Sequence, residues 1–138
     1  MTARPARPEL LPFRTVLIPT DFTEGSRAAI DRALALPLAQ GARIEILHVL
    51  PESIPAKARA RIEAGAHEAL AAEVTRVRSN PTDHDVTVTS TLLRGDAYVE
   101  SIRHARGIDA ELIVIGRHGR RPVRDLFKIG RASCRERV

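Results

Sequence analysis

Gly116-Arg117-His118-Gly119 directly follows the apolar run Leu112-Ile113-Val114-Ile115. Glycines at the two ends of such a loop let the backbone come close to a ligand and turn its N–H groups toward an anion, so the loop can cradle phosphates. The spacing has a plainer use as well, because glycine after a buried strand also simply makes the turn. Arg120, Arg121, Arg124 and Lys128 come next and form, with Arg117, the one basic cluster of the chain, able to neutralise phosphate charge. Asp21 sits after an earlier apolar run, and taken alone it reads as a cap for the helix that follows, a role compatible with touching a ligand. His48 reads as a packing residue at the crest of a sheet, since no titratable partner is spaced to make it an acid or base. His118 reads as a donor in its loop, and His67, His84 and His104 lack the spacing of a metal site. With no catalytic constellation, the chain reads as a binder and not an enzyme; slow hydrolysis of a bound nucleotide is open to it, but no base is positioned for water.

The elements that must hold these residues follow from periodicity. Thr15-Val16-Leu17-Ile18, ended by Pro19, is a short β-branched run suited to a strand buried on both faces. Asp21 to Glu24 signal a helix start, and Ala28, Ala29, Ile30, Ala33, Leu34, Leu36 and Leu38 supply an apolar stripe, kinked or stopped near Pro37 and closed by Gly41. A second strand spans Ile44 to Leu50. Ile54, Ile62, Ala66, Leu70, Val74 and Val77 predict a longer amphipathic helix ending before Ser79-Asn80-Pro81. Val86-Thr87-Val88-Thr89 alternates with period two, which predicts an edge strand with one wet face. After Arg94-Gly95-Asp96 a short helix carries Ala97, Val99, Ile102 and Ala105 and closes at Gly107. Leu112 to Ile115, the most apolar strand, is expected at the centre. Strands alternating with helices predict an α/β fold with a parallel sheet and right-handed crossovers. Ligands in such sheets sit beyond the carboxyl ends of the strands, which singles out Pro19–Glu24, His48–Glu52 and the stretch from Gly116.

Composition agrees with one domain. The 138 residues are 43% hydrophobic and 28% charged, an ordinary globular balance. The Arg/Pro-rich opening is no signal peptide and the apolar stretches are too short to span a membrane, so the expected setting is cytoplasmic, with no membrane partner. The net charge of +5 does not argue for nucleic acid, because the basic residues are mostly dispersed and aromatics for base stacking are scarce. Cys134 is the only cysteine, so no internal disulfide forms.

Pro19-Thr20-Asp21 after the first strand, Leu47-His48-Val49 ending the second and Val114-Ile115-Gly116-Arg117-His118-Gly119 resemble the universal stress protein family, over roughly Phe13 to Lys128. The resemblance implies a doubly wound parallel sheet of flavodoxin- or Rossmann-like topology with five strands, often dimeric, acting as an ATP-binding regulatory module in stress response, with Mg2+ as a companion of the phosphates. It also implies that Asp21 contacts the adenosine, that Val49 uses its backbone near adenine, that Gly116, His118 and Gly119 line the phosphate loop, and that Pro19, Thr20, Ile115 and Arg117 belong to the same nucleotide site. The alternative is a nucleotide-independent stress protein that works by dimerising or docking a partner. A phosphoacceptor role for Asp21 fits poorly, since neither an acidic neighbour nor a later strand-end lysine completes such a site.

The end of the chain departs from the family pattern. After Gly119 and nine intervening residues the family has glycine followed by Ser or Thr, whereas this chain has Ile129 and Gly130, then Arg131. Ten residues remain, fewer than the roughly fifteen that a crossover helix and fifth strand require. Ile129 to Val138 resembles the translation of a common sequencing adapter. The expected organisation is thus a disordered arm over residues 1–12, an incomplete domain with four strands over 13–128, and a non-native tail over 129–138. A homodimer of the family type is expected of the intact protein, its surface lost here with the fifth strand.

Overall fold

A computed structural model of the chain describes residues 12–80 and 85–116. The elements run β1 (Phe13–Pro19), α1 (Glu24–Leu34), β2 (Leu38–Leu50), α2 (Ala56–Arg78), β3 (Thr87–Arg94), α3 (Ala97–Gly107) and β4 (Leu112–Ile113). The four strands are parallel, in the order β3-β2-β1-β4. The chain therefore winds outward through β2 and β3, then crosses back past β1 to lay down β4. The winding reverses between β1 and β4, the crevice where open α/β sheets bind ligands.

Period-two alternation divides the core between the faces. Val16 and Ile18 of β1, Ile44 and Ile46 of β2 and Val88 of β3 pack under α1 and α2, against Ala29, Ile30, Ala33, Leu70, Val74 and Val77. Leu17, Leu47 and Ile113 face the other way and meet Ala105 and Ile102 of α3. Arg27 of α1 and Glu73 of α2 tie the two helices of the first face at 3.1 Å. The second face carries a buried charge. Glu45, 1% exposed, accepts hydrogen bonds from Thr89, from Thr91 (2.5 Å), from Arg43 (3.1 Å) and from His104 Nε2 of α3 (2.8 Å).

Three sequence expectations are corrected. α1 stops at Leu34 with Ala35 as its C-cap, and the strand begins at Leu38, so neither Leu38 nor Gly41 belongs to the helix. Pro37 ends it, and Gly41 instead takes φ 77° inside β2, where the pairing slips from Phe13↔Leu38 to Thr15↔Arg43. Val99 does not join the apolar stripe of α3, being 45% exposed. β4 is not central: among the described residues it pairs with β1 alone, at the opposite end from β3. Its apolar character reports two covered faces, since Leu112 and Val114 pack on the α1 side and Ile113 and Ile115 on the α3 side. β3 lies at the sheet edge, as its alternation predicts. The described residues contain no helix long and apolar enough to cross a membrane. Residues 1–11 of the expected arm, the basic cluster, the expected tail and the place of a fifth strand lie outside the described residues.

Candidate functional site

All four strands point the same way, so β1, β2 and β4 leave the sheet at one end. The exit of β1 is tied down atom by atom. Thr20, 6% exposed, donates its N–H to Leu47 O at 2.7 Å, accepts at its carbonyl from His48 Nδ1 at 2.6 Å, and accepts at Oγ1 from Phe22 N at 3.0 Å. Because a carbonyl can only accept, the proton of His48 sits on Nδ1. Phe22 then takes φ 67°, the left-handed region that costs a bulky residue about 1–3 kcal/mol and that surrounding contacts must hold in place. One such contact is the His48 ring, 4.5 Å from the Phe22 ring and tilted by 41°.

The reversal at Phe22 delivers the chain into α1. Thr23 is its N-cap, accepting from Ser26 N at 3.3 Å, so the capping role expected of Asp21 falls two residues later. Asp21 braces that cap instead. Its Oδ1 accepts from Thr23 N (3.1 Å), Thr23 Oγ1 (2.5 Å) and Ser26 Oγ (2.6 Å), while the Asp21 N–H donates to Ser26 Oγ at 3.2 Å. The Asp21 residue remains exposed.

Gly116 arrives on the same turn of helix. A Cβ at this position would lie 2.3 Å from Gly25 O and 2.8 Å from Ser26 N, and the backbone is not left-handed, so glycine is demanded here by close packing on α1. Ser26 thus joins the two exits: its amide lies against Gly116 and its hydroxyl bonds to Asp21. Val49 is half-buried near the end of β2, and it packs with Ile115 into the cluster under α3. Pro19 ends β1 in register with Leu47. The structure therefore gathers Pro19, Thr20, Asp21, Val49, Ile115 and Gly116 at one end of the sheet, while Arg117, His118 and Gly119 lie outside the described residues. Sequence reasoning missed Phe22 and Ser26 and saw only packing in His48. Ser26 had a local signal, a hydroxyl in the first turn of a capped helix; a left-handed phenylalanine has none.

The strand order, the reversal of winding between the first and fourth strands and the helices on both faces define a doubly wound α/β domain with its candidate site at the switch point. The universal stress protein family model matches residues 12–133, and the chain belongs to that family. No curated protein matches the chain. Among solved structures, a protein from Mycobacterium tuberculosis is 22% identical over 83% of this chain and 79% of its own, with a TM-score of 0.60. The universal stress protein UspA from Lactobacillus plantarum is 16% identical over 82% of this chain and 85% of its own, again with a TM-score of 0.60. A universal stress protein in complex with cAMP is 21% identical over 75% and 76%, with a TM-score of 0.54. At these identities the likeness is one of fold.

Proposed function

We propose that this domain holds an adenine nucleotide, ATP, as a regulatory binding module of a stress response. Pro19, Thr20 and Asp21 lie at the adenosine, the Val49 backbone lies near adenine, and Ile115, Gly116, Arg117, His118 and Gly119 surround the phosphates. The reading rests on one observation: the exits of β1 and β4 meet on the first turn of α1, with Ser26 touching both Asp21 and Gly116. That the fold neighbours include a universal stress protein in complex with cAMP supports a nucleotide as ligand. Thr20 contributes shape, because its amide, carbonyl and hydroxyl all have partners inside the protein. Asp21 keeps an exposed carboxylate with Oδ1 already accepting three hydrogen bonds, so Mg2+ would be held mainly by the phosphates it accompanies. The role is regulatory, in a cytoplasmic setting, with a homodimer for the intact domain.

Calorimetric titration with ATP, beside GTP, tests this. The chain binds ATP and prefers it to GTP, and Asp21→Ala weakens ATP by about tenfold, the effect of losing one good hydrogen bond. Absence of ATP binding at about 1 mM, where only the weakest complexes form, would overturn the reading. It would favour the partner-docking alternative, which draws support from Gly116: packing on Gly25 accounts for that glycine without any ligand.

A further inference from the structure

We propose that His48 is a positioning residue for this site: through Thr20 and Phe22 it fixes the turn that presents Asp21. The inference rests on the nucleotide reading above and adds a residue that does not itself need to touch the ligand.

Phe22 adopts a conformation that its own side chain disfavours, and the turn persists only if its neighbours hold it. Two of the contacts that do so come from the same imidazole. Nδ1 donates to the Thr20 carbonyl at 2.6 Å, just before the turn, and the ring leans on Phe22 at 4.5 Å, within the turn itself. Among the described residues the turn also has short-range hydrogen bonds, between Asp21, Thr23 and Ser26 and between Phe22 and Thr20, the bond of Thr20 N to Leu47 O, the packing of Phe22 on the core of the first face, and the close approach of Gly116 to Ser26. His48 and Leu47 are consecutive residues of β2, so one strand end grips the exit of its neighbour from both sides of the Thr20 peptide. Leu47 uses its main chain, which any residue would supply. His48 uses a side-chain donor of fixed reach, which few residues can supply. A ligand bound across the exits of β1 and β2 would feel any loosening of this grip as a loss of preorganisation.

The chemistry separates two substitutions. His48→Asn keeps an amide donor near the position of Nδ1 and discards the ring, whereas His48→Leu keeps apolar bulk against Phe22 and discards the donor. In ATP titrations of the full chain, His48→Leu binds about tenfold more weakly than wild type, the effect of one lost hydrogen bond, and His48→Asn is restored to within about threefold. Hydrogen exchange on the free proteins reports the same ranking without ligand: the Phe22, Thr23 and Ser26 amides lose protection in His48→Leu and regain it in His48→Asn, while the amides at the centre of β2 stay protected in both. Equal ATP affinity in wild type and His48→Leu, or equal loss in Leu and Asn variants, overturns the positioning role while leaving nucleotide binding intact. A wild type that binds no ATP overturns the nucleotide reading and this inference with it.

Discussion

Asp21 and Glu45 both accept hydrogen bonds from hydroxyl groups, yet the fold holds them in opposite ways. The Oδ1 partners of Asp21, Thr23 and Ser26, lie two and five residues along the chain, and the residue stays exposed. Those of Glu45 include Thr89, Thr91 and His104, which lie 44, 46 and 59 residues away, and the side chain is 1% exposed. Hydrogen bonds to neighbours a few residues away stiffen a loop at little cost to the rest of the domain, and the residue that accepts them stays at the surface. A carboxylate satisfied across β2, β3 and α3 has no face left to offer; it joins three elements and fails when any of them departs. The first arrangement suits a site and the second suits architecture.

The sharpest way to break this contrast is to remove Glu45. Glu45→Ala strands the donors that converged on it and should cost about 3–5 kcal/mol, the usual effect of breaking a buried charged network from one side. Urea unfolding measures it; a loss below about 1 kcal/mol, typical of exposed pairs, would mean the network is no tie at all. Acid provides a gentler probe. Burial by itself raises the pKa of Glu45, but the hydrogen bonds from Thr89, Thr91, His104 and Arg43 outweigh it and hold the group below its ordinary 4.5. The stability that Glu45 contributes is accordingly complete above its unfolded value near 4.5 and is lost as pH falls through the lower folded value. Glu45→Gln, which cannot titrate, should be less stable at neutral pH and lose less on acidification below that point. Parallel acid-unfolding curves for the two proteins would contradict the assignment.

In the other region the largest effect belongs to Gly116. Gly116→Ala drives a methyl into the Gly25 carbonyl, and because backbone cannot swing aside as a side chain can, the cost should be about 1–3 kcal/mol. The loss should be present without any ligand. This sharpens the comparison, since it predicts that weakened ATP binding in the variant comes with a lower melting temperature, whereas Asp21→Ala weakens binding with a smaller drop in melting, set by the bracing it gives the α1 cap. A Gly116→Ala protein as stable as wild type would refute the close approach.

What the sequence made legible follows the same division. The local grammar of Asp21 to Glu24, the stripe Ala66, Leu70, Val74 and Val77 and the alternation of β3 could all be read, because each depends on residues a few positions apart. The buried network could not. His104 reads as one histidine among scattered ones, and Thr89 reads as facing water, until the register Glu45↔Thr89 and the docking of α3 bring them together. The position of β4 escaped for a related reason: an apolar strand announces covered faces, and a covered face does not fix which neighbours share its hydrogen bonds. For the site, the residues of each exit could be named, but their meeting at Ser26 depends on a crossover that brings a chain segment ninety residues on against the first turn of α1.

The smallest effect is the most informative about how local the Asp21 cluster is. Thr23→Ala removes the cap of α1 and should cost about 1 kcal/mol. Asp21→Asn should cost less, since an amide oxygen still accepts from Thr23 N. The double variant should lose less than the two costs added, because both changes act on one shared bond of 2.5 Å from Thr23 Oγ1 to Asp21 Oδ1, which Thr23→Ala removes and Asp21→Asn weakens by taking the charge from its acceptor. Combining Thr23→Ala with Glu45→Gln, in contrast, should give simple additivity, as the two lie in different networks on opposite faces of the sheet. If the first pair were additive and the second coupled, the loop would draw its order from the body of the domain and not from its own neighbours, and the distinction between a locally built site and a globally built core would be lost.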